Sequence, residues 1–346
     1  MAPAFPSASG RDRSRCNAIS LAARGIAVLS ISCGTFAHAD SDWSLLFEPM
    51  YMDVFGHDPH VLTVRQFDDD AIPQAQAKTP VSLDTESGLA YRFEARRVAD
   101  DWTLGLDFFW FNTGQGRPTR SASASTPFER IEFEVSDRTF TADAPGETLT
   151  FSVLEDTDLI AWTVDVYANR KLVDGETARL DFQFGLRNAD FDNDFHAVAA
   201  LQGVGGTQID ASSNYPRMLG PLLGLSAEAR LAGSVLRGYL GQSLIFGTAE
   251  LRRFTTDFSG AVDSPTIVNV ERFAQDRDVA IPITEARLNW LYPLGEHFHL
   301  GVSANASLWW DVPVPPGVTP GTGADTRFEE KTIVYFGLAA AVKFRL

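Results

Sequence analysis

Along most of its length the chain alternates apolar and polar side chains with a period of two, the repeat of a β-strand with two different faces. Ser87–Arg96 puts Leu89, Tyr91, Phe93 and Ala95 on one face and Ala90, Arg92, Glu94 and Arg96 on the other. Trp102–Asn112 lines up Trp102, Leu104, Leu106, Phe108 and Trp110. Leu159–Arg170 sets Ile160, Trp162, Val164 and Val166 against Thr163, Asp165 and Tyr167. Arg179–Asp190 sets Leu180, Phe182, Phe184 and Leu186 against Asp181, Gln183 and Arg187. Similar strands follow at Met218–Leu231, Ser234–Leu251, Val279–Tyr292, Phe298–Val312 and Thr332–Leu346, with a weaker first one at Trp43–Met52. The pattern predicts ten strands.

The connections carry as much information. Short turns are expected at Val98–Asp101, Lys171–Thr177, Ala232–Gly233 and Pro293–His297. The other connections are expected to be loops of roughly 20–45 residues, and short turns on one side with long loops on the other mark an outer-membrane barrel. Ten strands place both termini on the short-turn side. A soluble sandwich with one wet face also alternates. It does not explain why all seven Trp fall within strands, several near strand ends, where indoles meet the two membrane interfaces. The expected fold is therefore all-β: a single-chain antiparallel transmembrane β-barrel of about ten strands, with long extracellular loops and short periplasmic turns. Trp102, Trp110, Trp162, Trp290, Trp309 and Trp310 are the expected interface aromatics.

Composition narrows the class. The 346 residues hold 45 acidic and 29 basic side chains, net −16. Such a surface repels phosphate backbones, so no nucleic-acid partner is expected. No stretch beyond the first forty residues approaches the ~18–20 apolar residues of a spanning helix. Arg11, Arg13, Arg15 and Arg24, an apolar run from Gly25 to Phe36, and Ala37-His38-Ala39 read as a secretory signal over residues 1–39. Residues 40–346 would form the barrel. Both cysteines, Cys16 and Cys33, fall in the signal. Losing its four basic residues and one acidic residue leaves a cysteine-free chain of net −19. An exported, acidic, cysteine-free chain fits the bacterial outer membrane. Lipid and lipopolysaccharide are the expected surroundings. The terminal strand, with alternate apolar residues ending at Phe344 and Leu346, resembles the signature read by barrel-insertion machinery.

The lumen face is where candidate chemistry lies. The alternation places Arg92, Glu94, Asp107, Asp165, Asp181, Arg187, Glu228, Arg230, Glu285 and Arg287 there. Charges removed from water must be paired. The set reads either as a charged eyelet or as ion pairs filling a closed barrel.

Three stretches resemble the family of pore-forming outer membrane proteins typified by the Legionella major outer membrane protein. They are Arg179–Asp192, Gly220–Gly247 and Ala280–Pro313, including Gly220-Pro221, Gly224-Leu225 and Trp309-Trp310-Asp311. The resemblance implies an outer-membrane barrel with a pore role and no catalytic residue.

Other candidates read as bland. Asp190-Phe-Asp192-Asn193-Asp194 has Phe195 and Leu201 where a calcium loop wants Gly and Glu, so it reads as a solvated loop tip, as does Asp68-Asp69-Asp70. His299, Ser303 and Asn305 share a strand face. His299 and Ser303 stand ~13 Å apart along it, too far for direct proton transfer. His57, His60 and His196 are expected in loops, beside Asp58 and Asp194. The expectation is no enzyme, metal or cofactor. The function expected first is a small pore with a narrow charged lumen. The alternative is a non-conducting structural or adhesive barrel acting through its acidic loops, and an outer-membrane hydrolase comes third.

Overall fold

The computed structural model describes residues 43–55, 60–67, 77–82, 87–114, 119–123, 130–135, 138–153, 158–260, 265–314 and 329–346. The signal segment, both cysteines, His57, Asp58 and the Asp68–Asp70 run lie outside the described residues. The strands described are β1 (Trp43–Phe55), β2 (His60–Phe67), β3 (Ala77–Ser82), β4 (Gly88–Ala99), β5 (Trp102–Gly114), β6 (Thr119–Ser123), β7 (Arg130–Val135) and β8 (Arg138–Ala142). They continue with β9 (Thr148–Val153), β10 (Asp158–Asp174), β11 (Ala178–Leu201), β12 (Gly205–Leu231), β13 (Ser234–Ser259), β14 (Thr266–Pro293), β15 (Phe298–Val314) and β16 (Glu329–Arg345).

Ten of these close a ring. The order runs β10-β5-β4-β1-β16-β15-β14-β13-β12-β11, and β11 pairs back onto β10. Every pair is antiparallel, so the fold is a single-chain transmembrane β-barrel with no edge in its wall. The expected strand count and the four expected short turns hold. The start of β1 and the end of β16 meet beside those turns, where the Leu346 amide donates to the Trp43 carbonyl at 3.0 Å. The tightest turn is Ala232-Gly233, with φ of 46° and 84°. Positive φ at both central residues is the hairpin turn whose twist matches its strands.

The opposite end corrects the loop expectation. Residues 191–217 and 252–278 are not loops but the upper halves of tall hairpins. β11 and β12 reach 24 and 27 residues, joined only through Gln202–Val204. β13 and β14 reach 26 and 28. Above the lipid belt the outward face no longer has to be apolar, so the signal used to find strands stops while the ladder continues. Asp190, Asp192 and Asp194 stand on the outward face of β11, while Phe191, Asn193 and Phe195 are buried. This is a strand, not a loop tip. The stretch Thr113–Asp156 likewise holds β6–β9. β9 pairs with the top of β11 and β6 with β9, while β3-β2-β7-β8 form a separate four-stranded sheet. Ile131, Phe133, Leu149 and Phe151 from these strands bury against Phe195, Ala197 and Ile209 of the first hairpin.

Outward positions of the wall are apolar. Leu104, Leu186, Leu223, Leu240, Leu288, Val302 and Leu338 are all exposed, as lipid-facing side chains must be. Trp102 and Trp110 both face out, ~27 Å apart along β5 and so ~20 Å apart across the membrane at the usual tilt. The Trp110 ring stacks on Tyr91 at 5.8 Å, and Trp162 is its register partner. Trp310 donates its indole N–H to Thr284 at 3.0 Å. Trp290 is exposed on the turn side. Trp309 is the exception. It is buried inside the barrel against Phe191 and Tyr335, because two consecutive strand residues cannot both face lipid.

Candidate functional site

The interior is built in layers by one side chain in two from each strand. Every strand of the ring contributes to an apolar layer on the tall-hairpin side: Met50, Ala90, Phe111, Leu159, Phe191, Tyr215, Ile245, Ile283, Trp309 and Tyr335. All are buried, and they belong to one packed cluster.

Nearer the turns lies an ion-pair network. Arg92 of β4 is its hub. Its Nη1 donates to Glu48 at 2.8 Å, and its Nε and Nη2 grip Asp107 at 2.8 and 2.6 Å. Glu94 receives Arg96 at 2.7 Å, Arg237 at 3.1 Å and the Tyr167 hydroxyl at 2.5 Å. Arg287 joins Asp107 at 2.5 Å, with its guanidinium 4.0 Å above the Tyr239 ring. Arg187 holds Asp165 through two bonds of 2.7 and 2.6 Å, and Glu285 at 2.6 Å. Asn289 donates to Glu48. The network links five carboxylates (Glu48, Glu94, Asp107, Asp165, Glu285) with five guanidiniums (Arg92, Arg96, Arg187, Arg237, Arg287). Its charge balances, the condition for tolerating so many buried ions.

Of the ten expected lumen residues, seven sit in this network: Arg92, Glu94, Asp107, Asp165, Arg187, Glu285 and Arg287. Asp181 is buried in a separate pair with Arg179 at 2.8 Å. Glu228 is half-buried at the turn-side mouth, with no ion pair among the described residues. Arg230 continues the same face but is exposed at the rim, so it lines no constriction. Periodicity missed Glu48. In β1 the inward residues Leu46, Met50 and Met52 are as apolar as the outward Phe47 and Tyr51, so the faces look alike. The readable signal was a lone carboxylate within that stripe. Glycines at inward positions were a second signal. A Cβ on Gly105 or Gly241 would overlap the phenol rings of Tyr167 or Tyr239, so these glycines make room for the network's tyrosines.

A cavity of about 30 Å³, room for roughly two water molecules, lies where the layers meet, lined by Arg92, Asp107, Asp165, Arg187, Glu285 and Trp309 among others. His299, Ser303 and Asn305 are buried on the lumen face as expected, and Asn305 donates to Ser303 at 3.3 Å. His196 is not a loop residue. It lies opposite Asp210 across the β11–β12 ladder, Nδ1 to Oδ1 2.7 Å.

No family model and no curated protein matches the chain. Solved structures similar to it include the outer membrane protease OmpT from Escherichia coli, at 10% identity over 88% of this chain and 97% of that one, with a TM-score of 0.49. A TodX deltaS2S3 mutant monoaromatic hydrocarbon channel is 10% identical over 90% and 91%, with a TM-score of 0.29. The Pseudomonas putida toluene transporter TodX is 8% identical over 89% of each chain, with a TM-score of 0.24. No residue's role passes from any of them to this chain.

Proposed function

We propose that this chain is a bacterial outer-membrane barrel whose lumen is sealed, and that it works through the hairpins it raises above the membrane rather than by conducting solutes. The observation that carries the reading is the burial of the lumen lining. A conducting pore keeps its lining wet. Here Glu48 is 0% and Arg187 1% exposed, and an apolar layer drawn from all ten strands lies across the same lumen. The expected small pore would require both layers to part. The paired charges of the lumen are accounted for by each other, and this favours the filled-barrel alternative over the eyelet. A hydrolase reading gains no support from the lumen, where the Ser303 hydroxyl is bonded to Asn305 and, among the described residues, the His299 Nδ1 meets no hydrogen-bond partner.

The same reading places the four short turns and both termini in the periplasm, the tall hairpins outside, and lipid and lipopolysaccharide around the apolar belt. β16 would be the strand presented to the barrel-insertion machinery. The likeness to the Legionella major outer membrane protein family is kept as a proposal of common architecture. The deciding experiment is planar-bilayer recording on folded protein, with folding checked by heat-modifiable gel mobility. The expected result is a current indistinguishable from the bare bilayer. Reproducible single-channel steps from folded protein would overturn the sealed-lumen reading.

A further inference from the structure

The β13–β14 hairpin ends in an open strand edge. β14 pairs with β13 along its length, but its ladder with β15 begins only at Ile283. Among the described residues no strand pairs with 266–282 on that side. Ile267 is 62% and Val268 67% exposed, and both faces of the segment are open as far as Asp278 apart from half-buried Phe273. Long, open, β-branched edges are templates for another strand. Charge on an edge normally prevents that.

Here the charges have a particular order. The run Glu271-Arg272-Phe273-Ala274-Gln275-Asp276-Arg277 is charge-complementary to its own reverse. Antiparallel to a second copy and centred on Ala274, Glu271 faces Arg277 and Arg272 faces Asp276. The two-fold axis repeats both pairs, one set on each face of the new ladder. The open segment has the same centre, since Thr266 then meets Pro282, whose ring nitrogen cannot extend a ladder. A slip of one residue brings like charges together: Glu271 against Asp276 one way, Arg272 against Arg277 the other. Opposite charges in direct cross-strand register attract and like charges repel, so the order selects one register. Each of the four charges already has a contact within its own chain: Glu271 accepts from Asn269 at 3.3 Å and Arg272 lies 5.5 Å over the Phe254 ring, so pairing between copies shares these groups. Asp276 meets Arg252 at 2.7 Å and Arg277 meets Glu330 at 2.8 Å, in exposed pairs that contribute little and leave donors and acceptors to spare.

We propose that residues 266–282 of β14 form a self-recognition edge, pairing antiparallel with the same segment of a second copy. Geometry then decides where that copy is. Two copies in one membrane are related by rotation about the membrane normal, so the outward component of each strand's direction is the same. Barrel strands tilt only ~35–45° from that normal. Antiparallel pairing therefore joins copies in two facing membranes. This rests on the reading that the tall hairpins face outward and deepens it to self-adhesion between membranes. It does not depend on the sealed lumen.

The test uses full chain folded into phospholipid vesicles, with tethering read by light scattering and cryo-microscopy, and conductance recorded separately. Native vesicles are expected to tether to one another. Glu271→Arg vesicles alone and Arg277→Glu vesicles alone are expected to lose tethering roughly tenfold or more, because many weak pairs act together. Mixing the two variants sets the introduced arginine of one opposite the introduced glutamate of the other across the gap, and should restore tethering. With Cys16 and Cys33 replaced by serine, Ala274→Cys should cross-link copies, and Thr266→Cys should not. Untethered native vesicles, no recovery on mixing, or equal cross-linking at both positions would overturn the proposal. A conducting but tethering protein would overturn only the sealed lumen, and a non-conducting, non-tethering one only the self-recognition edge.

Discussion

Replacing Arg187 by methionine measures whether the lumen is dry. Its guanidinium makes two bonds to Asp165, one to Glu285 and one of 3.3 Å to the Ser243 hydroxyl. Methionine fills much of the volume and removes every donor. Glu285 keeps Arg287 at 3.8 Å, but Asp165, with a side chain 2% exposed, loses its ion-pair partner. Removing one member of a buried pair costs about 3–5 kcal/mol, because the other charge stays out of water. If water reached Asp165, the cost would be that of an exposed pair, about 0–1 kcal/mol. The two cases differ enough to separate. Urea titration of folding in lipid vesicles, followed by Trp fluorescence, should show the midpoint falling by about 1.5–2.5 M, taking a slope of ~2 kcal/mol/M. Adding Asp165→Asn and Glu285→Gln removes the stranded charge and should recover most of the loss. A shift below about 0.5 M for the single variant, near the exposed-pair limit, would refute a water-excluding network. A triple variant no better than the single one would show that lost packing, not stranded charge, set the cost.

Two further outcomes follow from the wall and the topology. Leu288→Arg should cost about 2–4 kcal/mol of folding stability in the same assay, and Leu231→Arg at the turn-side rim about 0–1 kcal/mol, because the cost of a lipid-facing arginine depends on depth; equal costs would mean the belt is not in lipid. An epitope inserted at Gln202–Val204 should be stained on intact cells and one at Gly175–Thr177 only after permeabilisation, and the reverse result would invert the barrel.

Not every lumen substitution is mild. Thr103 and Asn289 face inward as periodicity implies, and by periodicity alone an arginine there is mild beside one facing lipid. Both are buried, and Asn289 is bonded to Glu48, so Asn289→Arg would overfill a packed interior and break that bond. Facing the lumen is an observation about direction. Whether the lumen is wet is a separate matter, decided by what the other nine strands bring to the same height.

That distinction divides what was legible in the chain from what was not. Period two is a local property, so the sequence alone determined the ten wall strands, the four short turns, the side on which β1 begins and β16 ends, and the lumen face of Arg92, Glu94, Asp165 and Arg187. It failed where its signal is degenerate: in β1, apolar on both faces, and above the lipid belt, where β11–β14 keep their ladders but lose the apolar outward stripe. Ring closure decided the rest. Arg237 meets Glu94 across 143 residues and Asn289 meets Glu48 across 241. No spacing along the chain encodes such pairs. They follow from which strands stand across the lumen and from the stagger of the ladders that sets each side chain's height. The same closure collects one apolar side chain from each strand into a single layer and, among the described residues, leaves 266–282 of β14 without a second paired strand.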